Sequence, residues 1–420
     1  MKLDNIGFPT MYDERARHAD QTTPMIRCDM VLTDLCTFRC PYCRGLREDC
    51  RGSVSMETAK KVIDLWTENG GLRELRLTGG EPTVWKGLPE LVRYAKAKGV
   101  QSIGISTNGY SDMSLYDELI EAGIDDFSIS LDACDAEEGD RMSGGIKGSW
   151  KKVTDNIRSI SKKANVVLGI VATADTADSL CDTIDFALSL GAHDIKLISA
   201  SQYNQLLTSA AAVSDEIRAE HPLLNYRIGN MLKGRNIRGL RENDSHRCPL
   251  VLDDASFAGG YHFPCTLYMR ERGNPIGVPS ENMRQERYEW YRKHDALKDP
   301  ICSAYCIDAF VEYNNRYLYY RLKDQTIIPV LEPDRFKTDC FEKDGRAVIG
   351  AEEMTFDNAA EYTDLFLNNP SYRLLGICLS DDMPEEMNVQ PKHTALLYEK
   401  ENGETFWFTV KNSELGEMIL

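Results

Sequence analysis

The chain has 420 residues, is 42% hydrophobic and 27% charged, and carries a net charge of −17. That length allows two or three domains with a sizeable core. The acidic balance argues against general nucleic-acid binding, which needs a basic surface. There is no apolar run of about 18 residues to span a membrane, and the polar N-terminus has no apolar export segment, so a cytoplasmic location is expected.

Residues 1–24 read as a polar extension. From 25 to 200, short apolar runs alternate with longer amphipathic patterns. Strands are expected at 26–32, 74–78, 102–107, 126–131, 166–172 and 194–199. Helices are expected from Ser55 onward and near 87–98, 112–122, 150–163 and 176–190, several of them ending at glycine (Gly99, Gly123, Gly191). Six strand–helix units in succession predict right-handed crossovers and an α/β fold, a partial (β/α)6 TIM-like barrel. Catalytic groups should then gather at the strand C-terminal ends.

Residues 201–247 read as a connector with one helix near 209–220. Residues 248–330 read as a loop-rich, cysteine-bearing domain, with an aromatic hairpin over 309–322 turning at Asn314-Asn315. Residues 331–420 form an acidic α+β segment with 8 basic and 19 acidic residues. A helix is expected there near 356–369, and two strands, TALLYEK and ETFWFTV, flank an ENG turn.

Thirteen cysteines in a chain without an export signal point to metal ligands rather than disulfides. Three of them, Cys36, Cys40 and Cys43, lie in CTFRCPYC directly after the first expected strand. Thiolates suit zinc, copper(I) or iron–sulfur clusters. A closed zinc site wants four ligands. Cys28, within the first strand, reads as a small buried hydrophobe, and Cys50, in a polar loop, as a spare thiol. Three thiols on one tight loop would leave one iron of a cubane without a protein ligand, an open position that a reactive site needs.

C-x3-C-x2-C after the first strand of a partial barrel resembles the radical S-adenosylmethionine (SAM) superfamily. The resemblance implies that Cys36, Cys40 and Cys43 hold a [4Fe–4S] cluster whose fourth iron binds SAM. One electron would cleave SAM to a 5′-deoxyadenosyl radical, which takes a hydrogen atom from the substrate. Thr78-Gly79-Gly80-Glu81-Pro82, after the second strand, resembles the GGEP motif. The glycines would admit a ligand close to the backbone, and Glu81 with backbone groups would take the SAM ammonium. Ser106-Thr107-Asn108 and Ser130-Leu131-Asp132, after the third and fourth strands, resemble segments that line the SAM pocket. Tyr42 matches the aromatic residue near the adenine. The likeness covers about residues 25–200 and implies a flavodoxin- or ferredoxin-type reductant.

Downstream, Cys248 and Cys265 fit C-x11-G-x4-C with Gly260, and Cys302 and Cys306 form a C-x3-C pair. Four thiolates suit zinc or a second cluster. The arrangement resembles a SPASM or twitch extension but lacks the C-x2-C pair and further ligand of a full SPASM domain. It therefore implies one auxiliary [4Fe–4S] cluster, fully ligated and suited to electron transfer. Two clusters and SAM are the expected cofactors. Among the other cysteines, Cys181 reads as core, and Cys340 and Cys378 are scattered. Cys134 reads as a loop thiol or a hydrogen-atom donor.

Residues 227–247 carry six basic and two acidic residues, and Arg270, Arg272, Arg284 and Arg287 form a second basic stretch. Each is a solvated face or a patch that steers a phosphate- or carboxylate-bearing substrate. The expected reaction is oxidation of a polar small molecule, sugar- or nucleotide-like, with the auxiliary cluster as electron acceptor. No acid–base residue is marked by spacing. The alternative is a peptide maturase forming a crosslink or an oxidised side chain. With only about 25 residues before the first strand, no leader-binding domain is expected there, which favours the small molecule.

Overall fold

The structure, a computed structural model, describes residues 25–314 apart from 47, 69–70, 202, 206–207, 242–243 and 245–247, together with five strands between 340 and 411. Six strands, β1 (Arg27–Val31), β2 (Glu74–Thr78), β3 (Ser102–Thr107), β4 (Asp126–Ser130), β5 (Asn165–Ala172) and β6 (Asp194–Ser199), lie side by side in chain order. All are parallel. The helices α1 (Met56–Glu68), α2 (Leu88–Ala97), α3 (Met113–Ala122), α4 (Ala136–Met142), α5 (Ser149–Ile160) and α6 (Leu180–Ser189) connect them. This is the expected partial barrel, with boundaries within a few residues of the sequence pattern.

The elements follow from local chemistry. Ser55 Oγ accepts a hydrogen bond from Thr58 N at 3.1 Å and so caps α1. That helix buries Ala59, Val62, Ile63 and Trp66, one face at helical spacing. Each of the larger side chains contributes about 1.5–3 kcal/mol by burial. One continuous core joins these helices to the strands. On the strands, Asp29, Arg76, Ser128 and Lys196 sit at half-buried positions between buried apolar neighbours. They point into the barrel, where they line its cavity.

The sheet does not stop at β1. In the segment read as loop-rich, β7 (Asp254–Ala258) pairs parallel with β1, and β8 (Tyr261–Phe263) pairs antiparallel with β7. The sheet order is β6-β5-β4-β3-β2-β1-β7-β8. The run DASFA is short and weakly patterned, but its pairing covers the β1 edge that the barrel leaves open. The connector holds two helices where one was expected, α7 (Asp215–Glu220) and α8 (Pro222–Leu232). Pro222 opens the second, a position where its missing N–H is harmless.

Three more helices follow: α9 (Thr266–Arg270), α10 (Met283–Lys293) and α11 (Pro300–Tyr305). The hairpin expected over 309–322 is corrected at its start, because 308–314 is helical. Asp308 Oδ1 accepts from Ala309 N at 2.8 Å, and Ala309, Phe310, Val311 and Tyr313 are buried. Tertiary packing there overrides aromatic strand preference. The rest of that expected hairpin lies outside the described residues.

Further on, β9 (Cys340–Lys343) and β10 (Arg346–Ile349) pair antiparallel. Strands β11 (Tyr372–Leu379), β12 (His393–Lys400) and β13 (Thr405–Lys411) form an antiparallel sheet in that order. The last two are the strands expected from TALLYEK and ETFWFTV. The helix expected near 356–369 lies outside the described residues.

Candidate active site

The loop after β1 carries Cys36, Cys40 and Cys43, and all three line one cavity of about 440 Å³ at the strand C-terminal ends. Backbone amides reach two of the sulfurs: Phe38 N lies 3.4 Å from Cys36 Sγ and Gly45 N 3.4 Å from Cys43 Sγ. Arg39 N donates to Ser143 O at 2.9 Å and ties the loop to the end of α4. Burial, then the charges of Asp132, Cys43 and Cys36, push the Cys40 thiol up to about 12. As thiolates the three would need a cation nearby, and a metal centre would supply one.

The Gly79-Gly80-Glu81-Pro82 turn supports this loop from beneath. A Cβ on Gly79 would stand 2.5 Å from Thr33 O, and one on Gly80 2.6 Å from Asp34 O. The backbone these glycines admit is therefore the stretch leading into Cys36, although both also line the cavity. Gly80 N donates to Thr33 O and Glu81 N to Leu35 O, each at 2.7 Å. Glu81 and Pro82 are buried and do not line the cavity. Glu81 Oε1 accepts from Thr83 N, Thr83 Oγ1 and Thr107 Oγ1, and Oε2 accepts from Asn108 N at 2.7 Å. Its carboxylate is thus a buttress that joins the β2 and β3 exits.

The remaining strand-exit residues do come together. Tyr42, Ser106, Thr107, Asn108, Ser130 and Asp132 all line the cavity. Tyr42 OH donates to Asp132 Oδ2 at 2.5 Å, and Val171 N donates to Asp132 Oδ1 at 2.8 Å. Burial raises the Asp132 carboxyl to about 6 despite both bonds. Asn108 Nδ2 donates to Thr37 Oγ1 at 2.8 Å, so the β3 exit also holds the cysteine loop. Cys134 is half-buried and outside the cavity lining. Cys50 is no spare thiol: it is 2% exposed and packs with Val31, Ala258, Phe263 and Met269, because the loop folds back over β7. Cys28 is fully buried in β1, as expected.

Cys248 and Cys265 each precede a helical turn, Cys302 lies in α11 and Cys306 ends it, and the four meet behind the cavity wall. Each of Cys265, Cys302 and Cys306 has its pKa raised by burial first and then by thiolates of the same set, Cys265 to about 12. Hydrogen-bond donors surround the sulfurs: Tyr268 N at 3.4 Å from Cys265 and Asn314 Nδ2 at 3.6 Å from Cys248. His294 Nε2 lies 3.4 Å from Cys302 Sγ. Such bonds tune the potential of an iron–sulfur centre. Among the described residues, no three cysteines bring their Sγ atoms within 4.8 Å of one another.

Arginines divide in two ways that the sequence did not reveal. Arg287 is a structural cation: Nε donates to Val251 O at 2.8 Å and Nη1 to Phe263 O at 2.9 Å. Arg44, Arg227, Arg238 and Arg270 line the cavity, whereas Lys233 and Arg241 of the stretch beginning at 227 are exposed. Sequence reasoning also passed over Arg27, Asp29, Arg76 and Lys196, which line the cavity from the barrel strands. The signal was available, since a charged residue inside an apolar parallel strand has to face the barrel interior. Arg76 Nη2 pairs with Asp126 Oδ2 at 2.7 Å across Gly104, where a Cβ would crowd both side chains. Lys196 has its pKa lowered to about 7 by burial, then by the charges of Arg76 and Arg227, with Asp29 and Asp126 opposing.

A parallel barrel with three thiols after its first strand, and the next strand exits gathered around the same cavity, defines an iron–sulfur domain that binds SAM. Residues 30–187 match the family model of the Radical SAM superfamily, so this part of the chain is a radical SAM domain. That superfamily uses a [4Fe–4S] cluster and SAM. The chain is similar to a probable GTP 3′,8-cyclase of Sulfurisphaera tokodaii, 28% identical over 221 residues, covering 48% of this chain and 70% of the relative. It is also similar to the PqqA peptide cyclase of Granulibacter bethesdensis, 28% identical over 185 residues, covering 43% of this chain and 49% of that relative, about half its length. The solved structure of anSMEcpe with bound AdoMet and the Kp18Cys peptide superposes with a TM-score of 0.49 at 15% identity, over 71% of this chain and 98% of that one. No helix of the described residues is long and apolar enough to cross a membrane.

Proposed function

We propose that the protein oxidises a polar small molecule, with Cys36, Cys40 and Cys43 holding the SAM-cleaving cluster and Cys248, Cys265, Cys302 and Cys306 an auxiliary one. One observation carries the reading. Thr266 and Leu267, which follow Cys265, and Ile307, which follows Cys306, line the same cavity as the first three cysteines. A cluster on the second set would stand one residue layer behind the substrate, near enough to receive an electron and too enclosed to bind the substrate itself.

In this reaction Lys196 would take the proton from the substrate's hydroxyl or amine, while bound SAM would supply the acceptor for the hydrogen atom on the adjoining carbon and the auxiliary cluster the acceptor for the remaining electron. Lys196 suits the proton step because it lines the cavity and is held near neutral pH by burial. Tyr42 and Asp132, hydrogen-bonded to each other, would orient SAM. Asn108, held by Glu81 and Thr37, would fix the opposite wall. A flavodoxin- or ferredoxin-type protein would supply the first electron.

The likeness to the GTP 3′,8-cyclase supports a nucleotide-sized substrate. The likeness to the PqqA peptide cyclase favours a second reading, in which a peptide side chain enters the same cavity. The test is anaerobic reconstitution with iron and sulfide, then incubation with SAM and dithionite. About eight irons per chain, matching two cubanes, and 5′-deoxyadenosine are expected. About four irons with 5′-deoxyadenosine would remove the auxiliary cluster and the oxidation with it. Wild-type substrate oxidation in Cys248→Ala would do the same.

A further inference from the structure

One wall of the cavity collects guanidinium groups that the proton step does not use. Arg44, Arg227 and Arg238 all line it. Arg44 forms an ion pair with Glu271, and Arg227 with Asp308. Arg238 differs. It is 7% exposed, and its Nε donates to Ser199 O at 3.0 Å, at the exit of β6. Its buried Nη1 has no hydrogen-bond partner among the described residues. The charged groups acting on it are the guanidiniums of Arg44 and Arg227, with the Tyr305 hydroxyl opposing, and no carboxylate stands among them. Burial and those two like charges lower its pKa to about 10, which leaves it positive at neutral pH.

The side chain is also held in place. Arg238 N donates to Asn204 Oδ1 at 3.2 Å, and Arg238 forms an antiparallel bridge with Ile307. Gly239 N donates to Cys306 O at 2.8 Å, and Leu240 N to Ser303 O at 2.9 Å. The segment is thereby tied to α11 and to the second cysteine set. A buried cation with an unmade hydrogen bond and cationic neighbours is unfavourable unless an anion joins it. A guanidinium fork matches carboxylate and phosphate oxygens.

We propose that Arg238, flanked by Arg44 and Arg227, binds an anionic group of the substrate, a carboxylate or a phosphate. The proposal rests on reading the cavity as a radical SAM substrate site. It restricts the substrate class to anions and anchors the molecule on the side of the auxiliary cysteines, leaving its other end toward Cys36, Cys40 and Cys43.

The test uses the reconstituted holoenzyme, saturated with SAM and kept anaerobic. Inorganic phosphate and acetate are titrated separately at constant ionic strength set with potassium chloride, and binding is followed by calorimetry. Saturable binding of one anion is expected, weakened about tenfold or more in Arg238→Gln and less in Arg238→Lys. Tighter phosphate than acetate binding assigns a phosphate-bearing substrate, and the reverse a carboxylate. Iron content shows whether each variant is folded, and Arg238→Lys serves alone if Arg238→Gln is not. Undiminished binding in the folded variants, or no saturable binding to the SAM-loaded parent, overturns the subsite. Formation of 5′-deoxyadenosine by the parent is scored separately. Its absence sinks the radical reading, while its presence without anion binding sinks only the subsite.

Discussion

Replacing Glu81 by glutamine separates a buttress from a cavity ligand. Glu81 is 1% exposed, and its two oxygens accept four hydrogen bonds. Glutamine keeps one acceptor oxygen, which can serve Thr83 N, Thr83 Oγ1 and Thr107 Oγ1. Its amide nitrogen then faces Asn108 N–H, donor against donor. Losing that charge-assisted bond in a buried place costs about 1.5–3 kcal/mol. At about 2–4 °C per kcal/mol for a domain of this order, the expected fall in Tm is about 3–12 °C. Glu81→Ala strands the backbone N–H groups of both Thr83 and Asn108, at about 1–3 kcal/mol each. SAM affinity should fall with stability, because Asn108 lines the cavity and depends on Glu81 for its position. Anaerobic thermal unfolding and SAM titration of the reconstituted protein measure both. A Glu81→Gln protein within about 1 °C of the parent, with unchanged SAM affinity, would refute the buttress argument.

Other expectations follow from single contacts. Gly80→Ala puts a methyl group against the Asp34 and Leu35 carbonyls, so the loop carrying Cys36 shifts and reconstituted iron falls from about eight toward about four per chain; full loading would contradict this. Lys196 is depressed to about 7, so its amine is neutral, and active as a base, above that pH. Turnover should rise through pH 7 and level off, and Lys196→Met should lose that limb and about 10²–10⁴-fold in rate. An unchanged profile would remove Lys196 from the role. His262 is fully buried, with Nδ1 3.3 Å from Arg287 Nη1 and Nε2 3.0 Å from Glu286 Oε2. Burial, then the Arg287 charge, pushes it down to about 3. The unfolded chain binds this proton below about pH 6.5 and the folded one does not, so stability is present above 6.5 and is lost as pH falls toward 3. At pH 5 the loss is about 2 kcal/mol, and His262→Gln should show a smaller acid-induced fall in Tm than the parent.

Much of this protein was legible in its residues because the signals are local. Strand and helix periods, glycine stops and the cysteine spacing are each properties of a few neighbouring residues. They fixed six parallel strands and the place of Cys36, Cys40 and Cys43. What the sequence misread needed partners distant in the chain. Glu81's four donors come from both its own turn and the β3 exit. Cys50 was taken for a spare thiol because β7, some 200 residues further along, covers it. DASFA became a strand only because the β1 edge was open to it.

The chain alone therefore carried the barrel, the likeness to the radical SAM superfamily and the presence of a second thiol set. Only the tertiary structure decided which charges share the cavity: Arg76 and Lys196 from the strands, Arg44 from the cysteine loop, and Arg227 and Arg238 from the connector. The reason is physical. A ligand type and its spacing are written in adjacent residues, whereas a pKa or an unpaired guanidinium depends on burial and on charges brought together by folding.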